Sequence, residues 1–331
     1  MQVLERLGLD DAVARHGVAL SRIELRDAGG ARLQHVDLKA VQRRFGQTTV
    51  SIHRGALQQA LVERLPADAL HLGKTCVAVD EREGGVRVRF EDGTHVEASL
   101  VVGADGLRSA VRDALFPQAQ LRYAGQTCYR GVADLALPDS LLRTAREVWG
   151  PGQRFGFSAI GERAVYWFAP VDAVPGTSVP ASIKEDLLRR YASFPAPTAA
   201  ILEATPAEAI IQTDLYDLRP LDRWWRGRVV LLGDAAHAPT PNLGQGAAQA
   251  IEDAYALAAC LARHGAPHEA FAAYETTRMP KAKQIVRRSW WLGKLAHVKN
   301  PVLRRVRNGV LRHTPAAVQR RELEAMYTVD A

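Results

Sequence analysis

The sequence predicts an α/β fold in which a sheet-and-helix domain is interrupted by an antiparallel sheet and followed by a helical tail. Three observations carry this. Short, unbroken apolar runs at residues 100–102 and 228–232 each lead into a glycine-containing turn and then a helical pattern, as strands of a parallel sheet do. Between them, residues 127–169 hold β-rich runs separated by Gly and Pro without helical spacing. Beyond Ala266 the apolar spacing is helical to the end of the chain, with interruptions expected at Pro280, Pro301 and Pro315. The division that follows is a discontinuous α/β domain over 1–122 and 208–280, an inserted sheet domain over 123–207 and a helical segment over 281–331.

In chain order, residues 23–37 read as a hairpin turning at Asp27-Ala28-Gly29-Gly30. A helix opens at His53-Arg54-Gly55, with Leu57, Leu61 and Leu65 at four-residue spacing until Pro66. Residues 86–90 and 94–98 flank Glu91-Asp92-Gly93 as a second hairpin. The run at 100–102 is expected to be buried on both faces and ends in Gly103-Ala104-Asp105-Gly106. Ser182-Ile183-Lys184-Glu185 has capping-box spacing and starts a helix reaching Tyr191. The strand at 228–232 then leads through a Gly/Pro-rich loop, 233–246, into a helix over 247–264.

The 331 residues are 47% apolar, enough for a large core, and carry a formal charge of +7. No apolar run approaches the length that spans a bilayer, because Gln249, Glu252 and Asp253 interrupt the longest one. No membrane partner is expected. The first ten residues lack a secretory pattern, and Cys76, Cys128 and Cys260 suit reduced thiols, so a cytoplasmic location is expected. No metal-ligand spacing occurs. The arginines at 287, 288, 304, 305, 307, 312, 320 and 321 alternate with apolar residues, which reads as helices with a solvated basic face; nucleic-acid binding is not expected.

The chemistry concentrates in Gly233-Asp234-Ala235-Ala236-His237, followed by Pro241-Asn242-Leu243-Gly244-Gln245-Gly246. A buried strand delivers Asp234 to its carboxyl end, where ligands bind in open α/β sheets and a carboxylate can hold sugar-like hydroxyls. Gly244 and Gly246 remove side chains just before a helix, so its free N–H groups can approach an electron-rich ring, and the helix dipole favours negative charge there. His237 lacks a visible partner that would make it a base.

These segments resemble the G-D and P-x-x-G-Q-G segments of FAD-dependent aromatic hydroxylases, the family of para-hydroxybenzoate and salicylate hydroxylases. The resemblance implies a Rossmann-like FAD-binding domain, with Asp234 on the flavin ribityl hydroxyls and Pro241, Asn242, Gly244, Gln245 and Gly246 lining the isoalloxazine. Gly103-Ala104-Asp105-Gly106-Leu107-Arg108-Ser109-Ala110-Val111-Arg112 looks like the family's D-G motif, which gives Asp105, Gly106, Ser109 and Arg112 roles near the pyrophosphate and in pyridine-nucleotide binding. Arg54 stands where the family has an Arg that reaches the ribityl and phosphate portion. Tyr129-Arg130-Gly131, Gly156-Phe157-Ser158 and Tyr166-Trp167-Phe168 resemble the family's substrate-domain sheet, and Tyr216 is a candidate to hydrogen-bond or deprotonate a phenolic substrate.

The activity implied is hydroxylation of a small aromatic or heteroaromatic compound with NAD(P)H and O2 through a flavin C4a-hydroperoxide; a homodimer is compatible with it. Family members open with a strand, a G-x-G-x-x-G turn and a helix that hold the ADP half of FAD, and the first residues here resemble the segment just after that unit. The expectation is therefore an N-terminally incomplete FAD domain, whose further strand would lie beside the one carrying Asp234. Two other readings share the same residues: a flavin-dependent oxidase or reductase, and a flavin-free remnant.

Overall fold

The computed structural model describes residues 1–329 and divides into two compact units. One comprises Met1–Leu65, Gly125–Asp214 and Lys294–Thr328; the other is built from Pro66–Ala124 and Leu215–Gly293.

The first unit is organised on a seven-stranded sheet with the spatial order Ile211–Leu218, Leu121–Asp134, Ala164–Asp172, Gln153–Ala159, Thr144–Gly150, Arg22–Asp27, Arg32–Asp37. The hairpin at the N-terminal side forms as expected, with Arg22 opposite Asp37, and the middle strands pair antiparallel. One pairing differs from an all-antiparallel insert: Arg22–Asp27 runs parallel to Thr144–Gly150, Glu24 opposite Arg146. That pairing is why Met1–Leu65 clusters with the middle sheet, whereas the sequence grouped residues 1–122 with 208–280.

Alternation along Ala164–Asp172 sends Val165, Trp167 and Ala169 into a core. There they meet Phe155, Phe157 and the helices Ile183–Arg190 and Thr198–Glu203, which contribute Leu187, Ile201 and Leu202. The Phe155 and Trp167 rings stack with centroids 5.6 Å apart, and the Trp167 indole donates to Thr205 Oγ1 at 2.8 Å, so its polar atom is not stranded in the core. The helix at Ile183 forms, but Ser182 makes no side-chain cap, so the expected capping box is absent.

In the second unit, Cys76–Arg82, Gly85–Phe90 and His95–Ala98 form an antiparallel meander. A smaller sheet has the order Trp225–Arg226, Val229–Leu231, Val101–Gly103, and its last two strands are parallel as expected. One expectation changes here. Val102 is 36% exposed because its strand lies at the sheet edge, not between neighbours. Val229–Leu231, the strand that leads to Asp234, is paired on both edges, with Trp225–Arg226 and with Val101–Gly103.

Helix Pro267–Ala296 runs through Pro280, where the sequence suggested an interruption. The ring removes one hydrogen bond, but buried anchors on either side, Arg278 and Ala282, hold the helix together. In helix Pro301–His313 the expected solvated basic face holds for Arg305 and Arg312, which are exposed, but not for Arg307. Val302, Val306 and Val310 are 64%, 59% and 64% exposed, whereas Arg307 is 5% exposed. The cause is local: the Arg307 guanidinium donates to the Leu295 and Ala296 carbonyls and lies over the Trp149 ring. Those carbonyls end the preceding helix and need donors. Among the described residues no helix is long and apolar enough to cross a membrane.

Candidate active site

The strand Val229–Leu231 is fully buried and ends at Gly233, whose φ of 60° belongs to glycine. A Cβ at that position would also lie 2.9 Å from the Ala250 Cβ. This sharp turn starts the short helix Asp234–His237. Asp234 is exposed, although Ala235, Ala236 and His237 immediately after it are buried. Among the described residues none donates to its carboxylate.

The same turn is fixed from beneath. Asp253 Oδ2 accepts the Gly233 amide at 3.1 Å and also meets His237 Nε2. Its Oδ1 accepts from Arg278 Nε at 2.8 Å. Arg278 reaches on to Glu252 at 2.7 Å and to Gln249 Oε1 at 2.7 Å, and Lys281 donates to Glu252 at 2.7 Å. All of these side chains are buried. Burial pushes the Asp253 carboxyl up, but the His237 and Arg278 contacts outweigh it and hold the group below the usual carboxylate range. His237 therefore has the partner that could not be seen in the sequence. The pair lies under the turn, with Trp224 against the imidazole. Glu252 and Asp253 were visible as charges in an apolar helix, a signal that buried partners must exist.

The loop from Thr240 is tied to helix Pro267–Ala296. Thr240 Oγ1 donates to Ser289 Oγ at 3.0 Å, and Asn242 Nδ2 donates to the Ser289 carbonyl at 2.9 Å. Asn242 thus turns its amide toward the protein, with Gly293 leaving room for it: a Cβ there would sit 2.4 Å from Nδ2. Pro241–Leu243 makes one 3-10 turn, and Gly244 follows with φ 64° and open space where a Cβ would be. Helix Gly246–Arg263 then begins with no side-chain cap, and Ala247 and Ala248 of its first turn are exposed. A Cβ at Gly246 would lie 3.8 Å from Asp234 Oδ1, so the carboxylate stands beside the helix start.

The D-G segment is more self-contained. Asp105 accepts from the Ser109 hydroxyl and from the Val111 amide at 3.1 Å, and Ser109 caps Arg112 N at 2.8 Å, so the carboxylate serves the start of helix Ala110–Leu115. Arg112 is buried and donates to the Leu107 carbonyl at 2.9 Å. Gly106 has φ 80° and open space around it. In the same unit, Tyr216 packs its ring on Tyr123 at 5.2 Å, and the adjacent Asp217 is buried against Arg122 at 2.7 Å. The structure thus gathers Asp105, Gly106, Tyr216, Asp234 and residues 241–246 into one unit. Arg54 lies in the other, exposed, at the start of helix Arg54–Val62 as expected; among the described residues it has no ion-pair partner.

An exposed carboxylate with no donor among the described residues, beside an uncapped helix start that carries Gly244 and Gly246, suits a ligand that brings hydroxyls and an electron-rich ring. FAD has both. The family model for the FAD binding domain matches residues 1–289. This chain belongs to the FAD-dependent aromatic monooxygenase family. The aurachin C monooxygenase/isomerase of Stigmatella aurantiaca is 37% identical over 313 residues, 94% of this chain and 81% of that relative. The 3-amino-4-hydroxybenzoate 2-monooxygenase of Streptomyces cremeus is 37% identical over 303 residues, 90% of this chain and 76% of the relative. Among solved structures, Klebsiella pneumoniae HpxO complexed with FAD and uric acid has a TM-score of 0.90 at 26% identity, covering 98% of this chain and 85% of that one. As a member of this FAD-dependent family, the chain is an enzyme with FAD as its cofactor.

Proposed function

We propose that this monooxygenase holds the ribityl hydroxyls of FAD with Asp234 and the isoalloxazine with Pro241, Gly244, Gln245 and Gly246. It then hydroxylates a small aromatic or heteroaromatic ring with NAD(P)H and O2. The observation that carries the reading is Asp234: a carboxylate left without a donor on a turn that a buried ionic network holds rigid. When bound, FAD supplies two-electron reduction by NAD(P)H and the activation of dioxygen.

The chain's own residues set the conditions for that chemistry. The first amides of helix Gly246–Arg263, with the helix dipole behind them, stabilise negative charge placed at their end. Asn242 does not reach outward; it keeps the loop in register with Ser289, and its role near the cofactor is to position its neighbours. Asp105 keeps the Gly106 turn open by capping its own helix, which leaves backbone groups at the turn to meet phosphate. Arg54 supplies a free guanidinium for the phosphate portion, and Tyr216 a hydroxyl for a phenolic substrate. Aromatic and heteroaromatic rings are favoured as substrates because the relatives include an aminohydroxybenzoate monooxygenase and a 2-heptyl-3-hydroxy-4(1H)-quinolone synthase. A cytoplasmic location fits the odd number and wide separation of Cys76, Cys128 and Cys260.

The test is direct. The chain is supplied with FAD, NAD(P)H and a panel of hydroxylated benzoates and quinolones, and products are read by mass. Ring-hydroxylated product that depends on all three supports the reading. Oxidation of NAD(P)H with hydrogen peroxide as the sole product, across the panel, would favour an oxidase instead.

A further inference from the structure

Helix Pro301–His313 belongs to the first unit, and Arg307 decides which of its sides is packed. That guanidinium donates to the Leu295 and Ala296 carbonyls and leaves the side with the valines outward. There Val302, Val306 and Val310 repeat every fourth residue and stack along one line, with Leu303 beside them. Each of the four is more than half exposed. Single exposed apolar residues are ordinary on a protein surface, but a contiguous apolar ridge marks a surface that something covers.

The charge around the ridge has one sign. Residues 294–313 contain two lysines and four arginines and no Asp or Glu. Arg305 and Arg312 are both exposed and stand seven residues, about two helical turns, apart, so they form a second line beside the valines. Arg305 pairs with no carboxylate among the described residues. Arg312 donates to Asp27 at 2.8 Å, an exposed pair that a competing anion can replace.

These two properties select the occupant. A second copy would set the same cations against one another, with no acid in the segment to offset them. Protein partners concentrate their contact on aromatic anchors in fitted pockets, whereas this ridge is convex and aliphatic. A bilayer requires no matching shape: a helix with an apolar line and a basic flank lies in the headgroup layer, and anionic lipids attract its cations. No helix among the described residues is long and apolar enough to cross a bilayer, and lying on the surface needs no such length.

We propose that helix Pro301–His313 docks the chain on an anionic lipid bilayer. Val302, Leu303, Val306 and Val310 sit at the boundary between headgroups and acyl chains, and Arg305 and Arg312 among the lipid phosphates. The contact is independent of the flavin and of the reaction.

The test is cosedimentation of the full chain with phosphatidylcholine vesicles, with and without about one-third phosphatidylglycerol. The wild type should bind the anionic vesicles about tenfold or more tightly than the neutral ones. V302S/V306S should weaken that binding about tenfold and R305Q about fivefold, with circular dichroism unchanged. R163Q removes an exposed cation elsewhere in the same unit and should leave binding within about twofold, which separates this helix from the net charge. Wild type that does not favour anionic vesicles overturns the proposal and leaves an acidic protein as the occupant. Unchanged binding in V302S/V306S or R305Q, or a loss in R163Q equal to that in R305Q, overturns it as well. So does a dimer, seen by sedimentation velocity, that V302S/V306S dissociates, since a second copy then covers the ridge. Should V302S/V306S fail to fold, R305Q set against R163Q decides.

Discussion

Asp234 is exposed on a turn whose other residues are packed, and its lack of a donor has a measurable consequence. Replacing it with Ala removes no contact that holds the protein together, so the unfolding free energy should stay within the small range of surface substitutions, about ±0.5 kcal/mol. FAD should bind on the order of 10- to 100-fold more weakly, the loss of one or two hydrogen bonds to a charged acceptor; equilibrium dialysis measures it. Asp253 is the opposite case. Asp253→Asn leaves Arg278 and Glu252 in a buried, uncompensated network and should cost about 3–5 kcal/mol, read by urea unfolding. Its folded pKa is depressed, so its contribution is complete above the ordinary carboxylate range and is lost as pH falls through that range toward the lowered value. Stability of the wild type should thus decline with acid more steeply than that of Asp253→Asn. Asp234, Gly244 and Gly246 could be singled out in the sequence because the proposed chemistry calls for particular residue types at fixed spacing. The Asp253–Arg278 contact was not, since it joins positions 25 residues apart on two helices. Asn242 pointed inward for the same reason: Gly293 makes room for it from a distant segment.

Strands and hairpins were readable where the signal was local. The Glu91-Asp92-Gly93 turn and the alternation of Ala164–Asp172 both depend on neighbours in sequence. The parallel pairing of Arg22–Asp27 with Thr144–Gly150 joins strands more than a hundred residues apart, and no local pattern encodes it. Helix Pro301–His313 misled because periodicity reports a two-faced helix without saying which face is packed. Arg307 satisfies carbonyls at the end of the preceding helix, and that decides it. The segment joining those helices carries a pH-sensitive contact. His297 is buried; its Nδ1 faces Asp172 Oδ1 at 2.6 Å, and Nε2 accepts from Arg154 at 2.9 Å, which requires the neutral ring. Burial, with Arg154 beside it, lowers its pKa despite the Asp172 contact. A depressed histidine stabilises the fold above its unfolded pKa, near 6.5, and this is lost as pH falls through that value toward the folded one. Thermal melts of His297→Gln should lack the part of the decline seen in the wild type between about pH 7 and 5.

At the scale of the whole molecule, the sequence conveyed the class of fold and the family, because both reside in strand–turn–helix segments that are local. Where the compact units divide was not conveyed, since that follows from which strands share a sheet. One unit carries Asp234 and the helix start at Gly246, and the other carries Arg54. On the proposed reading, Asp234→Ala changes FAD affinity. The decisive measurement is incorporation of labelled oxygen from O2 into an aromatic product by the chain supplied with FAD and NAD(P)H, compared with its Asp234→Ala variant at subsaturating FAD. One labelled oxygen atom per product from the wild type, falling on the order of tenfold or more in the variant and restored by excess FAD, is the predicted result. Wild-type protein that binds FAD yet forms no labelled product, or an Asp234→Ala variant with unaltered FAD dependence, would contradict it.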